Sequence, residues 1–443
     1  MTRPILRFAA IGLALALASL PALVHAKPAP APKKSAKVLV VGIDAGEWDV
    51  LGPLIDQGRC PNFARMRAQG SAGKLRSLLP LTRSPVIWTS IATGKVPQKH
   101  GVEDFFMRMK GLDTESGDEV PSDRRRPQTS NTWKARPVWD ILGSVGHSVG
   151  VVGWWTTWPA QPVNGVLVTD YAQYAPRGWS ATDTRVAYPE SLLTLVTRLR
   201  RSPESVSWAE LFQFVPAFDT TSVTPRQGEL VRDIRWIYAA DVTFYRVAME
   251  LYRRGHPDFF AVYFRGVDEL GHLYWDRETY NGRHEEPLTD SEEAWLKPLI
   301  PRYYVFMDRL LGDLLREAGS ATDVIVCSDH GYGGGGQGVL AHKPDGIVLM
   351  MGPHMVKGGT ITGANVLDIT PTILTLYGLP TARDMDGRPI PNGIEPRLVK
   401  RMERETRLPT YETARRKGGN AEPIASPVDQ ELRERLRSLG YIQ

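Results

Sequence analysis

Three short apolar runs, at residues 38–44, 259–268 and 324–330, each lead into an acidic residue, and that pairing constrains the fold more than any other feature of the chain. Runs rich in Val, Ile, Phe and Ala and bounded by Gly or polar residues read as buried strands. Open α/β sheets bind their ligands beyond the carboxyl ends of such strands. Asp44, Asp268 with His272 four residues later, and the adjacent pair Asp329 and His330 all fall at that edge. Carboxylates and imidazoles are the donors that Zn²⁺ and similar ions take, and clustered anions repel one another unless a cation sits among them. Each piece alone has a plainer reading. Asp44 would serve as a helix cap, and a pair spaced like Asp268 and His272 is common on any exposed helix face. Adjacent residues such as Asp329 and His330 grip one ion only where the backbone turns sharply, which Gly331 permits. The three together predict a dispersed two-metal site.

A nucleophile is expected between the first ligand and the rest. Residues 81–94 read as a loop entering a short helix that stops at Gly94, with Ser84 as N-cap and Pro85 at the first helical position. A hydroxyl there meets the positive end of the helix dipole, where a phosphate is also favoured. Ser84 would then be either a simple cap or, beside a metal that lowers its pKa, a nucleophile.

Taken in order, the segments 37–44, 89–94, His100-Gly101, 267–272, 327–332, 342–346 and 368–374 resemble the alkaline phosphatase superfamily, in particular its type I phosphodiesterase and nucleotide pyrophosphatase branch. The resemblance implies an α/β fold, a three-layer αβα sandwich with a central, mostly parallel sheet and a cap insertion. It also implies two divalent ions, usually zinc, as cofactors. Asp44, Ser84, Asp329 and His330 would hold one, and Asp268, His272 and a later histidine the other. His342, just before the apolar run 347–351, is the choice for that histidine, with His354 beyond the run as its rival.

Two departures from the branch pattern stand out. Its nucleophile is usually Thr, so Thr82 is the fallback for Ser84. Where nucleotide-cleaving relatives place an Asn shortly after His-Gly, this chain has Phe105, which leaves phosphate support to the metals, the Ser84 N–H and Arg83. Pro85 has no N–H to add. The implied activity is a metal-dependent phosphodiesterase working through phospho-Ser84 on a small-molecule phosphoester. A phosphomonoesterase or phosphoryl transferase on the same scaffold is the alternative, and a non-catalytic secreted binding protein is the reading from another class. The Cys/Ser-x-Pro-x-Arg context of a sulfatase nucleophile does not surround Ser84.

The N-terminus sets the compartment. Residues 1–7 are basic, 8–20 apolar, and 24–26 end in small residues, the pattern of a signal peptide cleaved after Ala26; the apolar run falls short of the roughly 20 residues of a membrane span. Residues 27–36 form a Pro/Ala/Lys tether. The catalytic domain is assigned to 37–392, with a strandless cap at about 172–227, and residues 393–443 to a charged tail ending in an amphipathic helix over 429–441. A periplasmic or secreted protein follows. Its two cysteines, Cys60 and Cys327, are too few for a disulfide framework and are expected as buried thiols. The net charge of +5 includes Arg3 and Arg7 of the leader, too weak a bias for a nucleic-acid-binding stripe. Trp154, Trp155 and Trp158 read as core, and the glycine-rich stretch 333–338 as a flap beside His330.

Overall fold

The computed structural model describes residues 36–442 apart from 81–82, 109–124, 175–183, 334–340, 404–406 and 413–421. The leader, all of the tether but residue 36, Thr82 and most of the expected flap therefore lie outside the described residues.

Nine strands form the central sheet: β1 (Lys37–Ile43), β2 (Ser71–Arg76), β3 (Val149–Val152), β4 (Gly165–Val168), β5 (Ala187–Tyr188), β6 (Phe259–Phe264), β7 (Thr322–Cys327), β8 (Asp345–Met351) and β9 (Gly359–Asn365). Their spatial order is β9-β2-β8-β7-β1-β6-β3-β4-β5. Only β8 and β5 run against the rest. The three apolar runs of the sequence are the adjacent strands β7, β1 and β6, paired in parallel at the centre. They are buried on both faces, which is why they lack the alternation of a half-exposed strand. Because they are parallel and in register, Asp44, Asp268 and Asp329 emerge at one edge.

Helices cover both faces. On one side lie α1 (Trp48–Asp56), α2 (Pro61–Gln69), α5 (Arg232–Gly255), α6 (Gly266–Tyr274) and α7 (Leu299–Ala318). On the other lie α3 (Ser84–Thr93), α4 (Val138–Ser144) and α8 (Ile369–Leu376). The result is the three-layer αβα sandwich with a mostly parallel sheet.

Three expectations need correction. Leu230, Ile234, Ile237, Phe244, Val247 and Leu251 recur at helical spacing and predict one helix over 228–254, but it is broken at Val231, whose backbone leaves the helical region; a separate turn, Pro225–Leu230, precedes α5, started by a capping box between Thr224 and Gln227. The stretch 172–227 is not strandless, since β5 adds an antiparallel edge to β4. A two-residue strand is too short to show a period. Ser84 is not the N-cap of α3: Arg83 holds that place in extended conformation, so Ser84 is the first helical residue and Pro85 the second.

The terminal helix α9 (Asp429–Ser438) packs back on the body. Leu432, Leu436 and Leu439 are buried, and the Arg435 guanidinium bridges Asp233 of α5 and Glu269 of α6, both at 2.7 Å. Cys60 and Cys327 are free and buried, as expected.

Candidate active site

The chain leaves β1 through a strained turn. Asp44 is followed by Ala45 with φ of 55°, a left-handed conformation that costs a residue bearing a Cβ about 1–2 kcal/mol. Three successive N–H groups hold the turn there: Ala45 donates to Asp329 Oδ1 (3.3 Å), Gly46 to Ser328 Oγ (2.7 Å) and Glu47 to the Tyr304 hydroxyl (2.9 Å). The turn that carries Asp44 is thus tied to the one that carries Asp329 and His330. Strain of this kind persists where the surroundings over-determine it.

Asp268 and His272 lie in the first and last turns of α6. The start of that helix is fixed by Asp241, a buried acid on the apolar face of α5, which accepts from the N–H groups of Arg265 and Gly266 (3.1 Å each) and from the Tyr303 hydroxyl (2.8 Å). Burial raises the Asp241 carboxyl to about 7. An acid amid Ile237, Phe244 and Val247 was the sequence signal for this role.

Six of the seven predicted site residues form one buried cluster. His330 Nε2 faces Asp44 Oδ1 at 3.4 Å and Asp329 Oδ2 at 3.3 Å. Asp268 Oδ1 faces the Nε2 atoms of His272 (3.3 Å) and His342 (3.5 Å), which lie 3.0 Å apart. The His330 and His342 rings stack with centroids 3.6 Å apart, joining the two halves. His354 does not take part. It sits at the opposite end of β7, where Nδ1 meets Asp323 at 2.7 Å.

Ser84, the seventh, is buried at the N-terminus of α3. One turn on, Trp88 donates its indole N–H to Asp44 Oδ2 at 3.2 Å, and residues four apart share a helix face, so Ser84 and Asp44 belong to the same side of α3. The close approach of α3 depends on Gly42 of β1: a Cβ there would lie 2.7 Å from the Trp88 ring.

Each carboxylate is divided in the same way, with one oxygen anchored and the other turned inward. Asp44 Oδ2 accepts from Trp88 and from the Tyr263 hydroxyl, which is itself held by the Trp155 N–H at 2.6 Å. Asp329 Oδ1 accepts from Ala45. The inward oxygens, Asp44 Oδ1, Asp329 Oδ2 and Asp268 Oδ1, find no hydrogen-bond partner among the described residues, nor does His330 Nε2. His330 Nδ1 lies 3.0 Å from the Gly331 carbonyl, which only accepts, so Nδ1 carries the proton and Nε2 presents a lone pair.

Electrostatics make that arrangement costly as it stands. Burial, reinforced by His342, drives His330 down to about 4, so the ring is neutral near pH 7. Burial and the Asp268 charge raise Asp44, and burial and Asp44 raise Asp329, whereas contacts with His272 and His342 outweigh burial and hold Asp268 low. A lone pair facing two buried carboxylates is repulsive without a cation between them. The donor atoms of Asp44, Asp329 and His330, and those of Asp268, His330 and His342, fall into two groups whose members lie within 4.8 Å of one another. Their composition and spacing fit divalent metal.

The type I phosphodiesterase / nucleotide pyrophosphatase family profile matches residues 38–366, spanning β1 to β9 and every site residue. The chain belongs to this family. It is accordingly a phosphoric ester hydrolase of the alkaline phosphatase superfamily, and its Asp/His clusters lie within the matched region. Among solved structures, human ectonucleotide pyrophosphatase / phosphodiesterase 5 is 15% identical, with 79% of this chain and 97% of that one covered and a TM-score of 0.44. A putative sulfatase from Bacteroides thetaiotaomicron is 11% identical, with 84% and 76% covered and a TM-score of 0.47. Phosphonoacetate hydrolase from Sinorhizobium meliloti is 17% identical, with 67% and 56% covered and a TM-score of 0.39. No curated protein matches the chain.

Other predicted features fall into place around the cluster. Trp154 and Trp158 are core residues, and Trp154 packs edge-on against Trp88 with centroids 5.0 Å apart. The Phe105 ring centroid stands 4.9 Å from that of Tyr441 and 5.7 Å from that of Trp155. Arg83 pairs with Asp104 at 3.2 Å. Among the described residues no helix is long and apolar enough to cross a membrane.

Proposed function

We propose that the protein is an exported phosphodiesterase that uses Ser84 as nucleophile and two divalent ions, with zinc the family's usual choice. The observation that carries this reading is the neutral His330 Nε2 directed at two buried acids, at 3.4 and 3.3 Å, an arrangement that is repulsive with the acids ionised and that a bound cation relieves. Asp44, Asp329 and His330 with Ser84 would hold one ion, and Asp268, His272 and His342 the other. Ions held there would supply Lewis acidity toward the phosphoryl group and neutralise its charge.

The chain's own groups do the rest. Ser84 Oγ attacks phosphorus, and as the Oγ–P bond forms, the bond from phosphorus to the leaving ester oxygen breaks. Water then attacks the serine-bound phosphoryl group, the Oγ–P bond breaks and a water proton returns to Oγ, while the proton lost by Ser84 in the first step leaves on the alcohol, so that one diester and one water become one monoester and one alcohol. Helix α3 favours the transferring anion through its N-terminal dipole. Trp88 and Tyr263 anchor Asp44 Oδ2 and leave Oδ1 directed inward, and the Gly331 carbonyl fixes the His330 tautomer. Export rests on the basic, apolar and small-residue sequence of positions 1–26.

The test is hydrolysis of a chromogenic bis-ester and the matching monoester by purified protein, each with and without chelator. Chelator-sensitive turnover that favours the diester is expected. A preference for the monoester would make it a phosphatase, and no turnover of any ester would favour a binding protein.

A further inference from the structure

Helix α9 ends in a turn that fixes the direction of the residue after it. Gly440 has φ of 77°, its N–H donates to the Arg437 carbonyl at 3.0 Å, and the Tyr441 N–H donates to the Leu436 carbonyl at 3.0 Å. This pair of bonds is the Schellman motif, with glycine at its left-handed position. A Cβ on Gly440 would collide with the Arg283 guanidinium as well as strain the backbone. The helix itself is pinned by Arg435 to Glu269, the neighbour of Asp268 on α6. Tyr441 is thereby delivered into the Asp268, His272 and His342 cluster.

Its ring packs on Phe105 and on His272, with centroids 4.9 and 4.7 Å away. A phenylalanine would satisfy that packing equally well. The hydroxyl calls for a separate explanation, because it lies 2.7 Å from His272 Nε2, 3.2 Å from His342 Nε2 and 3.1 Å from Asp268 Oδ2. Asp268 Oδ2 only accepts, whereas each histidine nitrogen donates or accepts according to its tautomer, so the hydroxyl spends its one proton on one partner and meets the others through its oxygen lone pairs. The three partners are themselves 3.0 to 3.5 Å apart, so the four groups make a compact quartet. Four donors placed tetrahedrally at bond lengths of about 2.0–2.1 Å stand about 3.3 Å from one another.

We infer that the Tyr441 hydroxyl is the fourth donor of the Asp268, His272 and His342 centre, so that the C-terminal segment is part of the metal site. This rests on the two-ion reading above. The position it fills is the one a catalytic zinc site usually leaves to water or substrate, so a reacting oxygen at this ion would join as a fifth donor. An open cavity of about 610 Å³ lies along Tyr274, Trp275 and Arg277, yet none of the seven predicted site residues lines it.

The experiment is chelator competition for Zn²⁺ and Co²⁺ on the full chain, wild type beside Tyr441→Phe, with the Co²⁺ ligand-field spectrum recorded for each. Tyr441→Phe keeps the ring and removes only the oxygen. Expected is a loss of about 10- to 100-fold in affinity for one of two ions, the other unchanged, with an altered Co²⁺ spectrum. Gly440→Ala, which keeps the hydroxyl but spoils its delivery, should repeat the loss. Two ions bound with wild-type affinity and an unchanged spectrum in Tyr441→Phe would overturn the inference while leaving the two-ion reading intact. Wild-type protein that binds no stoichiometric divalent ion would overturn both.

Discussion

Replacing Gly42 by alanine places one methyl group between the sheet and the supports of Asp44. The new Cβ would stand 2.7 and 2.8 Å from two carbons of the Trp88 ring and 3.4 Å from the Tyr263 ring. Those two side chains are the donors to Asp44 Oδ2. Trp88 is buried and packed edge-on against Trp154, so it has no free space into which to retreat. Overpacking of this kind costs about 1–3 kcal/mol. Moving an anchor of a metal-ligating carboxylate typically weakens metal binding by about 10- to 100-fold. Gly42→Ala should therefore lower the unfolding free energy of the metal-free protein, measured by urea denaturation, by that amount and, separately, reduce affinity for one ion in a chelator competition. Trp88→Phe serves as a partner experiment, since it removes the indole N–H while filling less volume. A Gly42→Ala protein as stable as wild type, holding both ions with unchanged affinity, would refute the packing argument.

Four further outcomes follow from the same structure. Ser84→Ala should lose several orders of magnitude in bis-ester turnover while metal content measured by elemental analysis stays within wild-type range, and Ser84→Thr should retain part of the rate because the hydroxyl survives. Asp329→Asn, which removes an inward charge, should lower metal occupancy and activity together, whereas His354→Ala at the far end of β7 should leave both unchanged. Arg435→Met breaks a buried bridge to Asp233 and Glu269 and should cost less in chemical denaturation than the roughly 3–5 kcal/mol of an uncompensated buried charge, because Glu269 keeps Arg265 and Asp233 keeps His284. His100, bonded through Nε2 to Ser90 Oγ at 2.8 Å, is driven by burial, with Lys95 adding, to about 3. Its folded value is depressed, so its contribution is complete above the unfolded value of about 6.5 and declines as pH falls toward 3, with a slope of about 1.4 kcal/mol per pH unit. His100→Gln should remove that slope from the pH dependence of unfolding.

Much of the site was legible in the sequence because fully buried parallel strands write themselves as unbroken apolar runs, and the residue that ends such a run is exposed to whatever the sheet edge binds. Asp44, Asp268 and Asp329 were readable for that reason, and His272 and His330 by proximity to them. The choice of His342 over His354 rests on its place before the apolar run of β8, and the structure brings His342 to the cluster and His354 to Asp323 at the other end. The N-cap was misplaced by one residue because proline was read as the first helical position and it occupies the second. Trp88, Trp155 and Tyr263 carried no signal beyond bulk: an aromatic that fills a core and one that also donates to a carboxylate look alike in a sequence. Tyr441 lies far along the chain from its nearest partner in the cluster, His342, and no local pattern could link the tail to the site before α9 was seen docked through Arg435.

The central claim is that the cluster at the carboxyl edge of β1, β6 and β7 holds two catalytic ions. Anomalous diffraction from a crystal of the zinc-loaded protein tests it most directly. Two peaks are expected, one among Asp44, Asp329 and His330 and one among Asp268, His272 and His342. A zinc-loaded crystal with no peak in the cluster, or with ions bound only elsewhere on the surface, would contradict it.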